Sequence, residues 1–170
     1  MNFHTSIDSP IGPLLLISDR EHLIGLYMDA HKGGPGLPED SREEAGDPIL
    51  RRATDQLRAY FAGELQQFDL PTLGQGTDFQ RQCWHQLALI PYAETISYGE
   101  MAKRVGDPKA CRAVGAANGR NPISIVVPCH RVIGANGSLV GFGGGLDRKA
   151  KLIGFERAML FGESAGTYWS

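Results

Sequence analysis

Cysteine is scarce in this chain, with three in 170 residues, at positions 83, 111 and 129. Three are too few for a disulfide framework, and their spacing is not that of a zinc site. The expectation is a reducing, cytoplasmic compartment, free thiols open to chemistry, and no metal. Long hydrophobic runs are missing too. Residues 14–17 and 123–127 are the longest candidates, far short of the roughly 20 that a membrane helix needs. Met1 to Pro10 has no basic residue and no apolar core, so it does not read as a signal peptide. Strong overall charge is lacking as well. With a net charge of −2, 42% hydrophobic and 21% charged residues, the composition is that of an ordinary globular protein. The length suits one compact domain or two small ones sharing a core.

The near-neutral total hides an uneven distribution. Residues 1–96 hold 7 Lys and Arg against 14 Asp and Glu, a balance of −7. Residues 97–157 hold 10 against 4, a balance of +6. Either these are two ordinary solvated surfaces, or the second half carries a basic face for nucleic acid.

Phe3–Ile7, Leu14–Ser18 and Leu23–Met28 read as a small antiparallel meander separated by turn residues. Residues 30–47, rich in Gly, Pro and acid, read as a mobile loop. Apolar residues at helical spacing predict a helix from Pro48 to Phe61, stopped by Gly63, and residues 65–70 read as a further strand. The expected boundary between two domains falls after residue 76, giving 1–76 and 77–170. A helix over 77–90 follows, with Phe79, Trp84, Leu87 and Leu89 as its apolar side, then one over 98–105 introduced by Ser97 and Glu100. Pro108 reads as the first turn of a helix over 109–118. Two short helices joined at Gly106-Asp107 resemble a helix-turn-helix, although such pairs are also common in plain helical proteins. The second helix is built from Ala and Gly with Lys109, Arg112 and Arg120 as its charges. Close packing on a neighbouring helix and close approach to a DNA groove explain it equally well.

Residues 123–127 read as a buried strand running into Pro128-Cys129-His130-Arg131. A thiolate is a strong nucleophile and a nearby imidazole can take its proton. In a regular strand, however, Cys129 and His130 point to opposite faces, so their contact needs a turn or a bridging water. Asn136-Gly137 marks a hairpin turn, followed by the glycine run Gly141-Phe142-Gly143-Gly144-Gly145, which lacks the spacing of a phosphate loop. It is either a flexible loop or a slot for a flat ligand. A helix from Asp147 to about Met159 closes the reading.

Pro128-Cys129-His130-Arg131-Val132, preceded by Asn121-Pro122 and followed by Gly144-Gly145-Leu146, resembles the motif of the O6-alkylguanine-DNA alkyltransferases, the methylated-DNA–protein-cysteine methyltransferases. The match runs from about Phe79 to Glu156. The start at Ser9-Pro10 and Tyr60-Phe61-Ala62-Gly63 are similar to bacterial members. The resemblance implies an α+β fold, in which a small ribonuclease-H-like α/β domain precedes a mostly helical domain with a helix-turn-helix and a short active-site strand. It implies a DNA repair protein that moves an alkyl group from O6-alkylguanine irreversibly onto Cys129, in a single turnover. His130 would draw off the thiol proton through a water, Glu156 would orient the imidazole, Tyr98 would protonate N3 of the leaving guanine, and Asn121 would brace the turn before the active-site strand. Arg112 would enter the base stack while the nucleotide is flipped, and the helix-turn-helix would meet the minor groove of double-stranded DNA with Ala113 and Ala117 against it. Lys103, Arg104, Lys109, Arg120 and Arg148 are expected DNA contacts. Tyr98, Val132, Phe142, Gly143 and Gly144 are the expected purine pocket. No cofactor and no membrane contact are implied, and a monomer is expected.

Two departures stand out. Phe142 occupies a position where many members have Tyr, and Gly143 one where some have Ser. A thiol pKa below the ordinary value near 8.5 is expected for Cys129. Rival readings are a cysteine-free type of alkylguanine-binding module, a Cys-His hydrolase and a helix-turn-helix regulator. Cys129 argues against the first, the want of an acyl pocket against the second, and the His130–Glu156 set against the third.

Overall fold

The computed structural model describes residues 1–28, 39–139, 142 and 144–170. Its N-terminal part is a four-stranded sheet in the order β3-β2-β1-β4, from β1 (Phe3–Ile7), β2 (Leu14–Ser18), β3 (Leu23–Met28) and β4 (Arg42–Glu43). The first three strands form the expected antiparallel meander, while β4 lies parallel to β1. That strand corrects the sequence expectation of a mobile loop over 30–47, of which residues 30–38 lie outside the described ones. Residues 39–47 have defined structure because they lead into a helix cap. Asp47 Oδ2 accepts the backbone N–H groups of Ile49 and Leu50 at 3.1 and 3.0 Å, and Ser18 Oγ donates to it from β2 at 2.7 Å.

Helix α1 (Pro48–Phe61) follows with proline in its first turn. Its buried residues Ile49, Leu50, Ala53, Leu57, Tyr60 and Phe61 repeat every three or four positions and pack on the sheet. Each fully buried leucine contributes about 1.5–3 kcal/mol. Residues 65–70 are not a strand. The connection touches the sheet just beyond them, where Leu23 N–H donates to Pro71 O at 2.8 Å and Leu73 N–H to Leu23 O at 3.0 Å.

The second part holds α2 (Asp78–Ala88), β5 (Ile96–Ser97), α3 (Tyr98–Arg104), α4 (Cys111–Gly119), β6 (Val132–Ile133), α5 (Leu146–Leu160) and α6 (Ala165–Trp169). Thr77 and Gln80 close a reciprocal cap on α2, which buries Cys83, Trp84 and Leu87. Leu89 was expected on that face but lies past the helix end, 57% exposed. Helix α4 starts two residues later than expected, because Pro108 and Lys109 belong to the turn between α3 and α4. No motif announced α6. Its aromatics hold it by tertiary bonds, Tyr168 Oη to Lys151 O at 2.8 Å and Trp169 Nε1 to Phe61 O at 3.0 Å.

The free edge of β3 joins the two parts. Leu26 N–H donates to Pro122 O at 2.8 Å, and Ser124 N–H to Leu26 O at 3.3 Å. The segment leading to Cys129 is therefore pinned to the N-terminal sheet. One buried apolar cluster runs through both parts, from Phe3 to Phe155.

Candidate active site

The segment read as a strand over 123–127 is a turn. Ile123 makes one bridge to Leu26, after which Val126 N–H bonds Ser124 O at 2.8 Å and Val127 N–H bonds Ile123 O at 3.0 Å. Ile125 sits at φ +72°, a left-handed conformation that costs a β-branched residue about 1–2 kcal/mol. Composition gave a strand because an apolar run looks the same in a buried turn. Asn121 secures the turn, its Nδ2 donating to Val127 O at 2.8 Å and its Oδ1 accepting Ile123 N–H at 3.1 Å. Asn118, near the end of α4, donates to Cys129 O at 3.3 Å.

Cys129, His130 and Arg131 then form one turn of 3₁₀ helix before β6, which pairs in parallel with β5. Three residues per turn set successive side chains about 120° apart, so the strand-parity problem does not arise. Cys129 is 3% exposed and His130 fully buried. His130 Nε2 lies 2.7 Å from Glu156 Oε2 on α5, and its Nδ1 is buried without a hydrogen-bond partner among the described residues. With the carboxylate as acceptor, Nε2 carries the proton and the neutral ring presents Nδ1 as a base.

Burial acts on the whole group. It pushes the Cys129 thiol up from its ordinary value, against hydrogen bonding from Asn121 and the charge of Lys149. The expectation of a depressed thiol is thereby corrected: desolvation outweighs the neighbours, and the resting sulfur keeps its proton. Burial likewise pulls His130 down despite Glu156. Glu156 itself resists the effect of burial, because His130 and Arg131 hold its carboxyl well below the usual range. Arg131 was noted in the sequence only as part of the motif. Its guanidinium grips Glu156 through Nε at 2.9 Å and Nη2 at 3.0 Å, and its Nη1 donates to Ile90 O at 2.7 Å.

Lys149 is a second residue that sequence reasoning passed over. It is fully buried, its Nζ lies 5.7 Å from the centroid of the Tyr98 ring, and burial lowers its pKa to about 8 while Cys129 opposes the drop. Nothing in the sequence separates it from its neighbours Arg148 and Lys151. Tyr98 opens α3, half-buried, with its phenol raised by burial. Val132 is fully buried behind the 3₁₀ turn. A side chain at Gly144 would collide with Met28 Sδ and the Phe142 ring, so only glycine lets the loop lie this close to β3. Gly143 lies outside the described residues.

The expected DNA face divides. Lys103, Arg104, Lys109, Arg112, Ala113 and Arg120 are exposed on or beside α3 and α4. Ala117 is not: it is 2% exposed, and its carbonyl accepts Trp84 Nε1 at 2.8 Å on the core side of α4. Arg148 spans two carbonyls, Ile11 O at 2.8 Å and Gly144 O at 3.1 Å, tying the N-terminal part to the glycine loop. Among the described residues no group of three or more His, Cys, Asp or Glu is placed to hold a metal ion. Among the described residues no helix is long and apolar enough to cross a membrane.

Residues 2–74 match the family model of the 6-O-methylguanine DNA methyltransferase ribonuclease-like domain, and residues 78–158 that of its DNA binding domain. The chain belongs to this family. The methylated-DNA–protein-cysteine methyltransferase of Mycolicibacterium paratuberculosis is 52% identical over 157 residues, covering 91% of this chain and 92% of its own. That of Methanosarcina acetivorans is 49% identical over 154 residues, covering 91% and 97%. The crystal structure of Mycobacterium tuberculosis OGT in complex with DNA superposes with a TM-score of 0.90 at 47% identity, covering 98% of both chains. The mixed fold, a sheet domain followed by a helical domain, is thus the family's own.

Proposed function

We propose that this DNA-repair alkyltransferase takes the alkyl group of O6-alkylguanine in double-stranded DNA onto Cys129, once per molecule. The observation that carries the assignment to Cys129 is a buried thiol in a 3₁₀ turn whose next residue, His130, is paired with a buried carboxylate at 2.7 Å. The thiol proton passes through a bridging water to His130 Nδ1. The sulfur attacks the alkyl carbon, the C–O6 bond breaks, and its electrons return to the purine. Tyr98, kept protonated by burial, donates a proton to N3 of the leaving guanine, and the proton taken up by His130 returns through solvent to the Tyr98 oxygen. Lys149 faces the sulfur as charge develops on it. The product is a thioether and unmodified guanine. Among the described residues beside Cys129 none is suited to cleave a thioether, so the protein is consumed.

The sulfur of a residue this buried meets a base only if the nucleotide leaves the stack. Arg112, exposed on a helix of small residues, fills the space left behind, and α4 approaches the minor groove. Three free cysteines support a reducing, cytoplasmic setting. The deciding experiment is intact-protein mass after incubation with duplex containing O6-methylguanine. A gain of one methyl group, absent in Cys129→Ser, is expected. Multiple turnovers, or the same gain in that variant, would overturn the assignment.

A further inference from the structure

Glu156 accepts more hydrogen bonds than the pairing with His130 requires. Its Oε2 takes His130 Nε2 at 2.7 Å, Arg131 Nη2 at 3.0 Å and the Tyr60 hydroxyl at 2.7 Å. Its Oε1 takes Arg131 Nε at 2.9 Å and Ala93 N–H at 3.1 Å. Four of these five donors come from the C-terminal half. Tyr60 comes from α1 in the N-terminal sheet domain, 96 residues away along the chain. Its ring is fixed without help from the hydroxyl, with the Phe61, Phe68 and Phe155 centroids at 5.1, 5.5 and 5.6 Å.

We infer that Tyr60 is a positioning residue for alkyl transfer: its hydroxyl, donated to the oxygen that also holds His130, sets how strongly Glu156 binds the imidazole. The inference rests on His130 being the base for the thiol proton. A carboxylate oxygen shared by three donors offers less electron density to each. Without the Tyr60 hydroxyl, Oε2 serves His130 and Arg131, the imidazolium is better stabilised, and His130 holds a proton at higher pH. Burial, with Glu156 adding to it, keeps the Tyr60 phenol well above its ordinary value, so it remains a donor throughout the working range. The other charges facing His130 are Arg131 beside it and Lys149 from α5, and both persist when Tyr60 is changed.

The test is the pH profile of single-turnover methyl transfer from an O6-methylguanine duplex at saturating DNA. Two variants bracket the wild type: Tyr60→Phe, which removes the donor, and site-specific 3-fluorotyrosine at 60, which strengthens it with one added atom. The acid limb should move up by roughly half a pH unit or more in Tyr60→Phe and down with fluorotyrosine. A ring that only fills space would leave the limb in place. Superimposable limbs in wild type and fluorotyrosine protein overturn the inference, and that comparison stands even if Tyr60→Phe does not fold. An NMR titration of His130 in the wild type separates this from failure of the underlying reading. If the acid limb does not follow His130, the base assignment falls. If it follows His130 and ignores residue 60, only the role of Tyr60 falls.

Discussion

The chemistry at Cys129 turns on desolvation. A buried thiol pays more to ionise than Asn121 and Lys149 return, so the free protein holds a thiol beside a neutral imidazole and not a preformed ion pair. Absorbance of the thiolate, as wild type minus Cys129→Ser, should therefore show a midpoint above that of an ordinary thiol, and a midpoint near 7 would contradict this account. Selectivity comes from place and not from ionisation. Cys83 is buried on α2 and Cys111 is exposed beside Arg112, whereas the buried His130–Glu156 pair stands next to Cys129. Peptide mapping after reaction with alkylated DNA should find the alkyl group on Cys129 and none on the other two. Glu156 gives the pH dependence of the fold. Its folded pKa lies far below the unfolded 4.5, so the unfolded chain binds the extra proton below that value. The stability it contributes is complete above about pH 4.5 and fades as pH falls. Urea unfolding of Glu156→Gln should show a lower stability at pH 7 and a flatter loss toward pH 3 than the wild type. Equal slopes would remove Glu156 as the source.

At the scale of elements, helix α4 has two faces made of the same small residue. Ala113 and Ala116 are exposed, whereas Ala117 lies under Trp84. Ala113→Leu should weaken duplex binding at little cost to the fold, and Ala117→Leu should overpack the core by about 1–3 kcal/mol. Thermal melts and DNA titration of both variants check the assignment, and a destabilised Ala113→Leu would reverse it. Arg112→Ala belongs to the same helix. It should slow repair in duplex far more than transfer from free O6-benzylguanine, because a finger offsets unstacking only where a stack exists. The sequence told these faces apart poorly, since Ala and Gly carry no polarity signal. It was clear where periodicity was strong, as in α1, where the apolar stripe runs from Ile49 to Phe61. It misled at 123–127 because a hydrophobic run does not disclose a turn held by Asn121. It said nothing of Tyr60 or Lys149, whose roles depend on which distant carboxylate or thiol they are folded against.

For the whole molecule, charge is segregated by burial as well as by sequence. The second half has 10 basic residues, but not all of them are available to phosphate. Arg131 is committed to Glu156, Lys149 is buried, and Arg148 bridges the Ile11 and Gly144 carbonyls. Arg157, exposed on α5, donates to Thr95 Oγ1 at 3.3 Å. Lys103, Arg104, Lys109, Arg112 and Arg120 remain on the exposed face around α3 and α4, and Lys151 is exposed on α5. Even here Arg104 is partly neutralised by Glu100 at 3.3 Å. Each phosphate neutralised on duplex DNA adds about −0.9 to the slope of log K against log salt. Binding to undamaged duplex should therefore fall with a slope of about −3 to −5, despite the net negative charge of the protein. Replacing Lys103, Lys109 or Arg120 by Gln should each make the slope shallower by about 1 or less, while Arg157→Gln should leave it unchanged. A flat salt dependence would mean that the basic face does not meet DNA. A slope near −9 would mean that the residues bound to carbonyls and carboxylate let go on binding, so that the active site itself rearranges when DNA arrives.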